Sequence, residues 1–180
     1  MKGIIIAVLC LAVVSFAACE RQNKGLPDTV ADPSENAVSE GLPQFDVTST
    51  NLHSGVWDTV ITNTENGNNV SPQLSWEPVE GAKSYVIYMV DTSAGNWLHW
   101  SSGNITEMSL PQGSASESEY IGPYPPSGTH TYEIFVYALK SSAENIPGEF
   151  DAQNPDLGSF SEKIGAIAEG HISGTYTHGD

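Results

Sequence analysis

The sequence predicts a mostly β domain, an antiparallel β-sandwich with a short C-terminal helix, over residues 44–180. Three observations lead there. The apolar runs after Gln44 alternate, or are dense in β-branched and aromatic residues, at strand length. Clusters of Gly, Asn, Pro and Ser, such as "NTENGNNVSP" and "PQGSASESE", cut those runs apart. A single stretch, "FSEKIGAIAEG", spaces its apolar residues as a helix does.

Ahead of that domain the chain has a different character. Met1-Lys2 is a short positive start, and "IIIAVLCLAVVSFAA" is an apolar run too short for a comfortable membrane span and suited to a signal-peptide core. Residues 1–18 are therefore expected to be a signal peptide. The run ends in "FAAC", which resembles a bacterial lipobox, with Phe16 where that pattern has Leu. The resemblance implies lipidation at Cys19 and an anchor in a bacterial cell envelope; a plain secretory peptide giving a secreted or periplasmic protein is the alternative. Residues 19–43 are polar, rich in Pro and Gly and without apolar period, the composition of a tether. Cys10 lies in the signal segment, so the domain has no cysteine pair and draws its stability from its core.

Within the domain, "FDVTST" and "QLSWEP" alternate, and "SYVIYMVD" reads as a buried strand. In "TYEIFVYALK", Tyr132, Ile134, Val136 and Ala138 share one face, and Glu133, Phe135, Tyr137 and Leu139 share the other. Apolar residues on both faces predict a central strand. Phe160, Ile164 and Ile167 mark the helix, with Asp156 or Ser159 as candidate caps, and "HISGTY" reads as a closing strand.

Charge narrows the function. The net charge is −16, and from Gln44 onward Lys83, Lys140 and Lys163 are the only Lys or Arg residues. Such a surface repels nucleic acid and anionic headgroups, and solubility alone accounts for most of the carboxylates.

Two families compete for the middle of the chain. "LSWEPVEGAKSYVIYMVD" resembles a fibronectin type III domain, which would make the protein an adhesion module. Five blocks in order, "NVSPQLSW", "VEGAKSYVIYMVDTSAGNWLHW", "NITEMSLPQGS", "YIGPYPPSGTHTYEIFVYAL" and "AIAEGHISGTY", resemble the phosphatidylethanolamine-binding protein family in its bacterial, Raf-kinase-inhibitor-like branch. That second resemblance covers roughly residues 68 to 177. It implies a pocket at one end of the β domain that accepts a small anion. The family's Asp loop, W-x-H strand and G-x-H-R turn fall here on Asp91, on Trp97 with His99, and on Gly128 to Thr131 with His130. Tyr132 stands at the family's pocket tyrosine, and Pro125 and Pro126 build the turn. The chain departs from the family at Asp91-Thr92-Ser93-Ala94-Gly95, which lacks the loop prolines and second carboxylate, and at Thr131, where the family has Arg.

On the residues themselves, "PYPPSG" is a stiff bracket that delivers His130 to the start of a strand. His99, His130 and the Tyr132 hydroxyl are candidate hydrogen-bond donors, and Asp91 a candidate orienter of a histidine. Plainer readings stand beside these. His99 fits a satisfied core histidine, Asp91 a turn cap and Tyr132 ordinary strand packing. His53, His171 and His178 are assigned no role, and Ser71 and Ser127 read as turn residues. The resulting expectation is a binding protein without catalysis, cofactor or metal, for a small phosphoryl or carboxylate ligand or a phospholipid headgroup. The alternatives are an inhibitor or scaffold that docks a protein through the pocket loops, and a hydrolase that uses histidine or a metal held by Asp91, His99 and His130.

Overall fold

The computed structural model describes residues 41–179. The signal segment, Cys19 and the tether up to residue 40 lie outside the described residues. Leu42 and Pro43, expected to end the tether, already belong to the domain: Leu42 packs on a core cluster, and the Pro43 carbonyl accepts the Glu169 amide at 2.9 Å.

Nine strands carry these residues. They are β1 (Gln44–Thr48), β2 (Leu52–His53), β3 (Val56–Trp57), β4 (Leu74–Trp76), β5 (Ser84–Asp91), β6 (Trp97–Ile105), β7 (Ser109–Leu110), β8 (Thr129–Leu139) and β9 (Ala166–Thr177). They form one sheet in the order β6-β5-β8-β9-β1-β4-β7, with β3 on β9 and β2 on β3. Strand β8 is central, as its two apolar faces require, and pairs along its whole length with β9.

The antiparallel sandwich expected from the sequence needs correcting. Strand β9 is antiparallel to β8 but parallel to both β1 and β3, so the sheet is mixed. Hydrogen bonding also runs on through β9, β1 and β4, which makes it one curled sheet instead of two. The curl brings Trp76 of β4 within 5.2 Å of Tyr85 of β5, ring centre to ring centre. Alternation along a strand specifies which face is buried; it carries no information about the direction of the neighbour.

Strand β5 is buried at every residue because both of its faces are covered. Ile87 and Met89 enter the main core with Trp57, Leu74, Trp100, Ile134 and Val136. Val86, Tyr88 and Val90 enter a second cluster with Leu98, Tyr137, Leu157 and Phe160.

The helix is shorter than its spacing suggested. α1 covers only Phe160–Lys163, and Ile167 lies in β9. Gly165 takes φ 67, the left-handed turn that ends a helix, and its amide reaches back to the Glu162 carbonyl at 3.0 Å. Neither candidate cap acts through its side chain: the Ser159 hydroxyl donates to the Asp156 carbonyl, and the Asp156 carboxylate holds Lys163.

Candidate functional site

Three neighbouring strands present polar side chains at one end of the sheet. Asp91 is the last residue of β5, and register sets it beside Trp97 of β6 and Tyr132 of β8. His99 and His130 follow from the same alignment. The chain then leaves β5 through a short 3-10 turn, Thr92–Ala94, and reverses through Gly95 and Asn96, both with positive φ.

Asp91 serves two partners. Its Oδ1 accepts the Ser93 amide at 2.9 Å, and its Oδ2 lies 2.5 Å from His130 Nδ1. The carboxylate is 3% exposed, so both bonds are sheltered from water. It therefore caps a turn and orients a histidine at once. Among the described residues, His130 Nε2 has no hydrogen-bond partner. Thr131 works through its backbone: its amide donates to Ser93 Oγ at 3.0 Å, and its carbonyl accepts Thr92 Oγ1 at 3.3 Å.

His99 is held differently. Its Nδ1 lies 2.8 Å from the Ile121 carbonyl, which can only accept, so Nδ1 carries the proton. Burial pushes the ring below its ordinary value, against the pull of that carbonyl and of the Asp91 and Asp151 carboxylates. The ring is neutral at neutral pH, and its remaining nitrogen is an acceptor, where the sequence suggested a donor.

Tyr132 lies behind these groups, fully buried, with its ring edge-on to His99 at 5.3 Å. Its hydroxyl makes no hydrogen bond of good geometry among the described residues, although the Asp91 carboxylate and the Tyr124 amide are close enough to influence it. Burial, and then the Asp91 charge, push this phenol far above its ordinary value.

These residues border a cavity of about 430 Å³. Asp91, Trp97, His99, Pro126 and His130 line it, as do Asn63, Ala94, Ile121, Gly122, Tyr124, Asp151 and Gln153. Pro125 and Tyr132, though expected at the site, are not part of the lining. The seven additional residues come from four connecting segments. Tyr124 had a visible signal, an aromatic set among prolines. Asn63, Asp151 and Gln153 had none, because nothing local says that the Asn63 segment folds onto Gly122 and the Asp151 segment over β6.

Close contacts hold those segments in place. A Cβ on Gly122 would lie 2.2 Å from the Ile61 carbonyl oxygen, so only glycine lets the two chains touch there. The Gly122 amide binds Asn69 Oδ1 at 2.7 Å, and the Asn63 amide binds the Pro123 carbonyl at 3.1 Å. On the other side, Asp151 takes φ 56, and its Oδ1 accepts Trp97 Nε1 at 3.0 Å. Its amide and the Ala152 carbonyl pair with Leu98 along the free edge of β6.

The lining is largely apolar, with polar groups at Asp91, His99 and His130 on the strands and at Asn63, Asp151 and Gln153 on the connecting segments. Among the described residues that border it there is no Lys or Arg. Among the described residues, no three His, Cys, Asp or Glu side chains are grouped so as to share a metal ion.

Comparison with known proteins gives the family and the fold. A sequence profile of the phosphatidylethanolamine-binding protein family matches residues 46–177. A Methanothermobacter thermautotrophicus protein named UPF0098 is 33% identical over 129 residues, covering 60% of this chain and 79% of its own. Among solved structures, Escherichia coli YbcL, described as a new member of the mammalian PEBP family, superposes with a TM-score of 0.60 at 26% identity, over 74% of this chain and 98% of that one. A putative phosphatidylethanolamine-binding protein homolog, CT736 of Chlamydia trachomatis, gives 0.58 at 22% identity, over 74% and 97%, a likeness of fold alone.

Proposed function

The chain belongs to the phosphatidylethanolamine-binding protein family, and from that premise we propose that it is a binding protein whose cavity accepts a phosphoryl or carboxylate group. The observation that carries this reading is the His130–Asp91 pair at the cavity wall. Asp91 fixes Nδ1, so the other ring nitrogen is left to meet a ligand, and protonation turns it into a charged donor. Asn63 adds a side-chain amide, and Trp97, Ile121, Tyr124 and Pro126 offer apolar surface to whatever carries the anion. Binding without turnover is favoured because the described lining has no Ser, Thr, Cys or Lys and both of its carboxylates, Asp91 and Asp151, already accept hydrogen bonds within the protein.

The same charge argument sets the test. Of the side chains that line the cavity, histidine is the one able to take up positive charge. A bound anion favours the charged ring, so by linkage inorganic phosphate and acetate bind more tightly toward the acid end. Titration by NMR, corrected for the ligand's own protonation, reads this directly. His130→Ala is expected to weaken phosphate binding about tenfold, the worth of one charge-assisted bond, and to flatten its pH dependence. Equal affinity in both proteins would refute the reading. A free anion and a lipid headgroup share this chemistry; comparing phosphate with vesicles that display a phosphomonoester lipid separates them.

One observation favours a second reading. Tyr124 at the cavity mouth is 63% exposed, as an aromatic anchor for a protein partner would be. A partner that protects Tyr124 from solvent, and that phosphate does not displace, would move the function to the loops.

Localisation follows from the front of the chain. "FAAC" supports a lipid anchor on Cys19 in a bacterial envelope, with the tether holding the domain off the membrane. Wild type is expected to fractionate with membranes and Cys19→Ser to be released; membrane association unchanged in the variant would remove the anchor.

A further inference from the structure

The bracket that carries Tyr124, Pro126 and His130 has an unusual shortage of ties. Pro123, Pro125 and Pro126 have no N–H, so this segment can be fastened mainly by what reaches its carbonyls. Three carbonyls are reached. The Asn63 amide takes Pro123 at 3.1 Å. The other two bonds come from one residue just past β9: the His178 amide donates to the Gly128 carbonyl at 2.8 Å, and His178 Nδ1 lies 2.9 Å from the Pro125 carbonyl.

That geometry is specific. A carbonyl only accepts, so His178 Nδ1 is the donor. Its two bonds grip the bracket on either side of Pro126, one of the cavity-lining residues. Gly128, the second anchor point, has φ 67 and open space around it, so no packing would hold that corner if the strap let go. The strap itself is set by pairing of the adjoining strand ends, where Thr129 faces Thr177 and their hydroxyls meet at 3.0 Å.

We propose that His178 is a positioning residue for the ligand cavity, strapping the proline bracket so that Pro126 and His130 hold their places. Its exposed ring touches no core cluster, and it does not line the cavity; its effect passes through the Pro125 carbonyl. The proposal takes the cavity to be the binding site, and one arm of its test needs no ligand.

The variants are His178→Ala, His178→Asn and His178→Gln in the full chain. An Asn side-chain amide sits where His Nδ1 does and can restore the bond; a Gln amide sits one bond further out and cannot. Without ligand, the His130 ring proton shared with Asp91 is followed by NMR. It is expected to stay sharp in wild type and Asn, and to broaden by exchange in Ala and Gln. With inorganic phosphate, Ala and Gln are expected to bind about three- to tenfold more weakly, the worth of one neutral hydrogen bond, and Asn within about twofold of wild type. Thermal midpoints within a few degrees across the set separate positioning from general damage. Should His178→Ala fail to fold, the Asn and Gln pair still decides. If wild type does not bind phosphate, the proposed function fails and the ligand-free arm still tests the strap. Sharp, unchanged His130 signals in all three variants, or Asn and Gln behaving alike, would overturn it.

Discussion

The two walls of the cavity are built on opposite principles. Asp91, His99 and His130 sit at the ends of β5, β6 and β8, and register places them. Moving any of the three means slipping a strand and turning its apolar residues to the wrong face. Asn63, Tyr124, Asp151 and Gln153 come from connecting segments, held by a few hydrogen bonds each and by a backbone contact at Gly122. The strand wall keeps its chemistry because the core depends on the same pairing. The loop wall can change without touching the core. Where the two walls meet, the Thr131 amide of β8 and the Ser93 hydroxyl tie the turn after β5 to the strand wall.

The comparison can be broken most sharply at Gly122. A loop wall that is soft everywhere would tolerate Gly122→Val, yet the added atoms would meet backbone carbonyl and amide groups at Ile61 to Asn63. The variant is expected to lose at least about 3 kcal/mol of stability, read by denaturant unfolding. A loss below about 1 kcal/mol would show that the contact relaxes and that even this point is soft.

On the strand wall, Asp91→Ala strips a partner from the Ser93 amide and from His130 at once. About 1–3 kcal/mol is expected, together with most of the phosphate affinity. Loss of affinity with no loss of stability would mean the pair is purely functional and the two walls differ less than their construction implies.

Acid sharpens the contrast at His99. Its folded value lies below the ordinary 6.5, so as pH falls the unfolded chain takes up the proton first. The stability tied to its neutral ring is complete above that ordinary value and is lost as pH drops toward the folded value. Wild type should lose more stability between about pH 7 and pH 5 than His99→Gln does, measured by urea midpoints. Identical slopes would remove His99 from the account.

The smallest effect is expected at Tyr124→Ala, where an exposed side chain leaves a loop. Stability should stay within about 0.5 kcal/mol. Any change should appear in ligand or partner binding, and a larger drop would mean the bracket helps hold the fold.

This division also decides what could be read from the sequence. Asp91, Trp97, His99 and His130 were legible because strand period and the family blocks locate strand ends. The central place of β8 followed from its two apolar faces. Asn63, Asp151 and Gln153 were not legible, since they reach the cavity only after one segment folds onto Gly122 and the other across β6. Pairing direction was hidden for a related reason: β1 and β3 lie parallel to β9 because of where the chain travels in space, and period two is blind to that. Ile167 misled because a left-handed Gly165 turned a helical spacing into a strand.

Strand β9 also imposes an order on assembly. It is the last of the nine strands in the chain, and it stands between β8 and β1 in the sheet. While a ribosome is still adding residues 166–177, the β6-β5-β8 group and the β1-β4-β7 group have no strand between them. Gln44 must wait for Glu169, and Val56 for Thr175. Closure of so distant a pair is slow, and refolding in milliseconds to seconds is the pace such topologies set. Until it happens, the edges of β8 and β1 stand open to any other strand, so the nascent chain is most exposed to mispairing just before its final residues emerge.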